Sequence, residues 1–178
     1  MTASHISKLG KVMQLAYRPK DFEGAIRYWV EVMGVGPFFV LENITMENMK
    51  FRGQPTECHF SIALAYWGDM QIELLKCDGG GPSIYNSEYG VFDQLHHVCI
   101  IVPDMNEVRR VCAEAGAEVI MEGKAGGSGE AIYVDPGMGP GHLVEFYQYA
   151  PGNDQMFAMM QDAAKTWDGT DPVRKLTL

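Results

Sequence analysis

Leu95-His96-His97-Val98-Cys99-Ile100-Ile101-Val102-Pro103-Asp104 reads as a strand that runs straight into a helix. His97, Cys99 and Ile101 fall on one face at a period of two. Pro103 ends the strand. Asp104 suits a helix N-cap, and Glu107 stands where a capping box places its partner. Taken alone, a histidine on an apolar strand face is an ordinary core residue. Its meaning depends on what the rest of the chain sets beside it.

The same pattern occurs once before. Lys11 to Arg18 reads as a strand, Pro19 ends it, Asp21 caps, and a helical stripe follows through Phe22, Ala25, Ile26, Trp29 and Met33. Gly34 closes that helix as Gly116 closes the helix that starts at Asp104. The two caps are 104 − 21 = 83 residues apart, and Gln14 and His97 are 97 − 14 = 83 apart. Each helix is followed by strand-like runs, including Cys58 to Trp67, Met70 to Leu75, Ala131 to Val134 and His142 to Tyr147. The chain therefore reads as a duplicated βαβββ unit. The expected class is α+β. The modules span residues 10–76 and 94–150, joined by a linker at 77–93 and followed by a helical extension at 151–178. Asn43 to Thr56 reads as a polar loop, Lys124 to Gly129 as a Gly-rich turn, and the extension as a helix near Gln155 to Trp167 with a loose end.

The 178 residues carry a net charge of -9 and are 47% hydrophobic. That balance supports a sizeable core and opposes binding to nucleic acid or an anionic membrane surface. No run is long enough to span a bilayer, and the start, Met1 to His5, lacks the apolar stretch of a signal peptide. The four cysteines show no short spacing and read as small core residues in a reducing, cytoplasmic setting. Phe38, Phe39, Met46, Met49, Phe51 and Trp67 suit either core or a pocket for an apolar group.

Each unit opens with a polar ligand-type residue, Gln14 or His97, and closes with a glutamate in an apolar frame, Glu73 or Glu145. Burying an unpaired carboxylate is expensive, so two at matched places ask for one common partner. If the units pair about a pseudo-twofold axis, Gln14, Glu73, His97 and Glu145 can meet. One amide oxygen, one imidazole and two carboxylates suit a divalent Zn, Ni, Co, Mn or Fe ion with positions left for a small-molecule substrate.

At these residues the chain resembles the vicinal-oxygen-chelate superfamily, in particular its methylmalonyl-CoA epimerase and glyoxalase I branches. The resemblance covers roughly residues 10–150, and it implies two βαβββ modules pairing into a curved mixed sheet around a central metal cleft. Its four ligand positions fall on Gln14, Glu73, His97 and Glu145, with His96 pointing away as a structural or near-surface residue. Lys124 to Gly129 and the step from Asp135 to Glu145 are similar to the epimerase. That branch usually opens with His where this chain has Gln14, and carries a glutamate on the third strand where this chain reads His59-Phe60-Ser61-Ile62-Ala63. The Gln, Glu, His, Glu set is similar to glyoxalase I, and Arg18 falls at that family's glutathione arginine. Cys77 and Asp93 replace two other glutathione-binding residues, which argues against a lactoylglutathione lyase.

The resemblance implies a metal-dependent isomerase, epimerase or lyase. It would abstract a proton next to a metal-bound carbonyl, through an enolate, on a small apolar or acyl-thioester substrate. Glu145 is the leading base, then Glu73, then His59; Tyr66 and Tyr147 are candidate hydrogen-bond donors. An Fe(II) extradiol-type dioxygenase is the alternative, and a metal-free binding or resistance protein comes third. A homodimer is expected.

Overall fold

The computed structural model describes residues 5–125 and 129–176. Its core is one mixed sheet built from two units that meet at their opening strands. β1 (Val12–Tyr17), β5 (Cys58–Trp67) and β6 (Met70–Gly80) form the centre of the first unit. β7 (Leu95–Ile101), β9 (Gly129–Asp135) and β10 (Leu143–Gln148) form that of the second. β2 (Phe38–Ile44) lies outside β5, and β8 (Glu118–Ala125) lies outside β9. β1 and β7 pair antiparallel at the junction.

The register repeats with the sequence. β1 pairs parallel with β6 through Gln14↔Gln71 and Ala16↔Glu73. β7 pairs parallel with β10 through His97↔Leu143 and Cys99↔Glu145. The offsets are 97 − 14 = 99 − 16 = 83 and 143 − 71 = 145 − 73 = 72. The fold is α+β with a curved mixed sheet, as the resemblance implied.

Alternation decides which side chains face the helices. α1 (Phe22–Glu31) lays Phe22 and Ile26 on Ala63, Ala65, Ile72 and Leu74. α2 (Met105–Ala115) lays Met105, Val108 and Cys112 on Ile100, Ile132, Val134 and Phe146. Residues one step along each strand, among them Glu73, His97, Cys99 and Glu145, take the other face. Asp21 caps α1 by accepting from Gly24 N at 2.8 Å, and Asp104 caps α2 by accepting from Asn106 N at 2.9 Å. The expected capping box does not form, because Glu107 pairs with Arg110 at 2.7 Å instead. Gly116 ends α2 at φ 72°, a conformation cheap only for glycine.

Three segments differ from the sequence expectation. Asn43–Thr56 is not a loop: β3 (Glu47–Phe51) and β4 (Gln54–Pro55) form a hairpin that pairs with β8 of the other unit. Its polar residues face solvent while Met46 and Met49 are buried, so composition alone hides the strand. Cys77–Phe92 is more than a connection. It begins as the end of β6 and then buries Ser83, Ile84, Tyr85 and Tyr89. The C-terminal end is not loose: α3 (Asn153–Lys165) is followed by β11 (Val173–Lys175), which pairs parallel with β2. The core of the expected Gly-rich turn, residues 126–128, lies outside the described residues. No described helix is long and apolar enough to cross a membrane.

Candidate metal centre

The four central strands each send one residue to the face opposite α1 and α2. Gln14 comes from β1, Glu73 from β6, His97 from β7 and Glu145 from β10. Glu73, His97 and Glu145 each bring a ligand-type atom within 4.8 Å of the other two. All four side chains are buried, His97 at 0% exposure and the two glutamates at 7% and 8%. Two carboxylates at that depth repel each other and lose hydration, so something positive must sit between them.

A proton or a cation can supply that charge. Burial raises the Glu73 carboxyl to about 7; the charge of Glu145 adds to this, while His97 and the Gln14 amide oppose it. Burial disfavours a charged His97, yet the adjoining Glu145 and Glu73 carboxylates outweigh it and raise the imidazole above its ordinary value. His97 Nε2 lies 3.2 Å from Glu145 Oε2. Two buried atoms here lack an aligned hydrogen bond, His97 Nε2 and Gln14 Oε1. A bare imidazole nitrogen, an unpaired amide oxygen and two close carboxylates are the donor set of a borderline divalent cation, and these residues fit one.

Neighbouring groups fix the donors. Gln14 Nε2 donates to Gln71 Oε1 at 2.6 Å, and Gln71 Nε2 donates to the Tyr66 hydroxyl at 3.1 Å. That chain leaves the other end of the Gln14 amide as the free oxygen. Gln71 was not singled out from the sequence, although it shares the period-two face of Glu73. Of the two places expected for His96, structural or near the surface, it takes the buried one. It is 0% exposed, with Nε2 3.1 Å from the Ile84 carbonyl and Nδ1 2.9 Å from His97 Nδ1. Burial, helped by the charge of His97, lowers its imidazole to about 3. Nothing in the local sequence marks Ile84 as its partner, because the contact depends on how 77–93 folds back.

A cavity of about 110 Å³ opens onto Gln14, Glu73 and Glu145. Leu41, Ile44, Met46, Phe60, Ile62 and Leu64 form its walls, and α3 contributes Asn153, Met156 and Phe157. Tyr147 also lines it and donates to Asn153 Oδ1 at 3.0 Å, which ties α3 to β10. Among the described residues, no Lys or Arg lines this cavity. Of the expected apolar set only Met46 reaches it; Phe38 is core and Trp67 is exposed.

His59 does not join the cluster. Phe60, Ile62 and Leu64 line the cavity, so alternation turns His59 to the opposite face, where it sits beside Glu57 at 3.2 Å. Arg18 is also elsewhere: it donates to the Gly90 carbonyl at 2.8 Å and lies 3.8 Å from the Phe92 ring centroid.

A profile of the Glyoxalase/Bleomycin resistance protein/Dioxygenase superfamily matches residues 13–134. Among solved structures, a hypothetical protein from Bacillus halodurans C-125 is similar at 19% identity and TM-score 0.56, covering 79% of this chain and 95% of that one. The methylmalonyl-CoA epimerase from Mycobacterium tuberculosis is similar at 13% identity and TM-score 0.56, covering 85% of this chain and 96% of that one. At such identities the likeness is one of fold. No curated protein matches the chain.

Proposed function

The chain belongs to the Glyoxalase/Bleomycin resistance protein/Dioxygenase superfamily, and from that premise we propose that it is a metal-dependent epimerase, isomerase or lyase. It would move a proton next to the carbonyl of a small apolar or acyl-thioester substrate. The observation that carries this reading is the convergence of Glu73, His97 and Glu145 beside the unpaired Gln14 oxygen, at the floor of an apolar cavity. Gln14, Glu73, His97 and Glu145 would hold a divalent Zn, Ni, Co, Mn or Fe ion. Such an ion supplies Lewis-acid stabilisation of the negative charge that develops on a substrate oxygen.

Glu145 is the proposed base. Its close charged partner is His97 Nε2, the same atom that would turn to a cation. Glu145 is itself one of the four residues that would hold the ion, so as base it would leave that place to accept a proton from a carbon held in the cavity. Glu73 is the second candidate. It also lines the cavity. His59 drops out of the reading, since it faces away. The walls of Leu41, Ile44, Phe60, Ile62 and Leu64 support an apolar substituent on the substrate and exclude bulk water from the proton transfer.

The name of the mycobacterial relative suggests 2-substituted acyl thioesters as the first compounds to try. Metal content and exchange of substrate C–H for deuterium from the solvent test the proposal together. Purified protein should carry about one divalent ion per chain, as a single site requires, and should exchange deuterium into a substrate carbon next to a carbonyl. Glu145→Gln should abolish the exchange. Native protein that neither retains nor takes up a divalent ion overturns the reading.

A further inference from the structure

The contact between His96 and His97 has a proton arithmetic that settles which nitrogen of His97 faces the carboxylates. The Ile84 carbonyl can only accept, so His96 Nε2, 3.1 Å away, carries a hydrogen. The two Nδ1 atoms are 2.9 Å apart, and one proton must lie between them. If that proton were on His96, the ring would be a cation. It would be fully buried, stacked on Tyr85 at 5.9 Å between centroids, with a backbone carbonyl and a second imidazole as its hydrogen-bond partners. A buried cation without a counter-charge is expensive. The proton therefore belongs to His97, whose Nδ1–H donates to the lone pair on His96 Nδ1.

From this geometry we infer that His96 is a positioning residue: it accepts from His97 Nδ1–H and so keeps Nε2 as the nitrogen that faces Glu73 and Glu145 and can give its lone pair to a cation. The relay runs from the Ile84 carbonyl through His96 Nε2–H and Nδ1 to His97 Nδ1–H, and ends at Nε2, the atom without an aligned partner. Packing fixes both rings. Phe60 lies 4.7 Å from Tyr85, and Tyr133 meets His97 edge-on at 5.2 Å, each between centroids. Ile84 and Tyr85 belong to the segment between the two units, so that segment reaches the site through one carbonyl and one ring. Without the acceptor on His96, His97 can take the other tautomer, with Nε2–H donated to Glu145 and no lone pair left for a cation. A hydrogen-bond acceptor behind a ligating histidine is the general means of fixing its tautomer and strengthening its donor atom.

This inference rests on the metal-site reading for its consequence, though not for the tautomer itself. The test compares native protein with His96→Leu, which has no acceptor, and His96→Asn, whose side-chain oxygen can still accept. Nitrogen-15 chemical shifts of the His97 ring are recorded without metal, at a pH where the ring is neutral. Zn2+ affinity is measured by competition with a chelating dye. Native protein should show His97 protonated on Nδ1. His96→Leu should move the proton to Nε2 and weaken Zn2+ binding by about 10–100-fold, and His96→Asn should recover most of both. A native His97 protonated on Nε2 overturns the inference, as does a folded His96→Leu that keeps the native tautomer and affinity. If His96→Leu does not fold, the native spectrum and His96→Asn decide. A native Nδ1–H signal in a protein that binds no Zn2+ would leave the tautomer standing and refute the metal reading alone.

Discussion

Glu73→Gln should make the metal-free protein more stable at alkaline pH while destroying its metal site. The Glu73 carboxyl ordinarily titrates near 4.5 and stands at about 7 in the folded chain. At roughly 1.4 kcal/mol per pH unit, ionising it in place costs about 3 kcal/mol. The folded pKa lies above the unfolded one, so between these values the folded state holds a proton that the unfolded state has released. Stability from this group is complete below about pH 4.5 and is lost as pH rises through about 7. His97 is also raised and shifts stability in the same direction.

Chelator-treated native protein should therefore weaken between pH 5 and pH 8, and Glu73→Gln should weaken less by about 3 kcal/mol. For a chain of this size that difference is roughly 6–12 °C in melting temperature. Thermal or urea unfolding in EDTA at several pH values measures it. Zn2+ at a thousand times the dissociation constant should reverse the order, stabilising native protein by about 4.1 kcal/mol and leaving the variant unmoved. Native metal-free stability that is flat or rising over this range, or a variant less stable at pH 8, would refute the electrostatic account of the cluster.

His97→Asn removes the one imidazole facing the carboxylates and should abolish stoichiometric metal, measured by elemental analysis. Asn153→Ala removes the acceptor for both the Tyr147 hydroxyl and Ala150 N, at 3.0 and 2.7 Å. It should cost about 1–3 kcal/mol in urea unfolding. Met160→Ala empties a fully buried position where α3 meets Phe39, Leu41, Leu64 and Tyr66. It should cost about 2–5 kcal/mol and increase proteolytic cleavage within residues 153–176. Phe157→Ala enlarges the cavity, so turnover should extend to substrates with one or two extra methylenes. Each added methylene should be favoured over its behaviour in native protein by roughly 10-fold or more in kcat/KM.

The duplication was legible in the chain because strand period, proline stops and Asp caps are local signals, and they recur at one spacing. The convergence of Glu73, His97 and Glu145 was legible for the same reason. A glutamate inside Gln71-Ile72-Glu73-Leu74-Leu75 or Leu143-Val144-Glu145-Phe146-Tyr147 must share its face with every second residue, and the repeat says which faces meet. Period two also foretells that His59 and Phe60 point to opposite faces, but not which of these is the cavity. The β3–β4 hairpin was hidden, because an edge strand with solvent-facing Glu47, Asn48 and Lys50 has the composition of a loop.

Sequence by itself determined the repeat, the α+β class and the four polar residues that the central strands carry, since these follow from short-range periodicity and from the cost of burying carboxylates. Tertiary structure alone decided what surrounds those residues. Residues 77–93 fold back to place the Ile84 carbonyl on His96, Gln71 and Tyr66 turn the Gln14 amide, and α3 walls the cavity with Met156 and Phe157. Each of these is a contact between segments distant along the strand pattern. Such contacts are fixed by packing and hydrogen-bond satisfaction, for which a linear sequence carries no local signal.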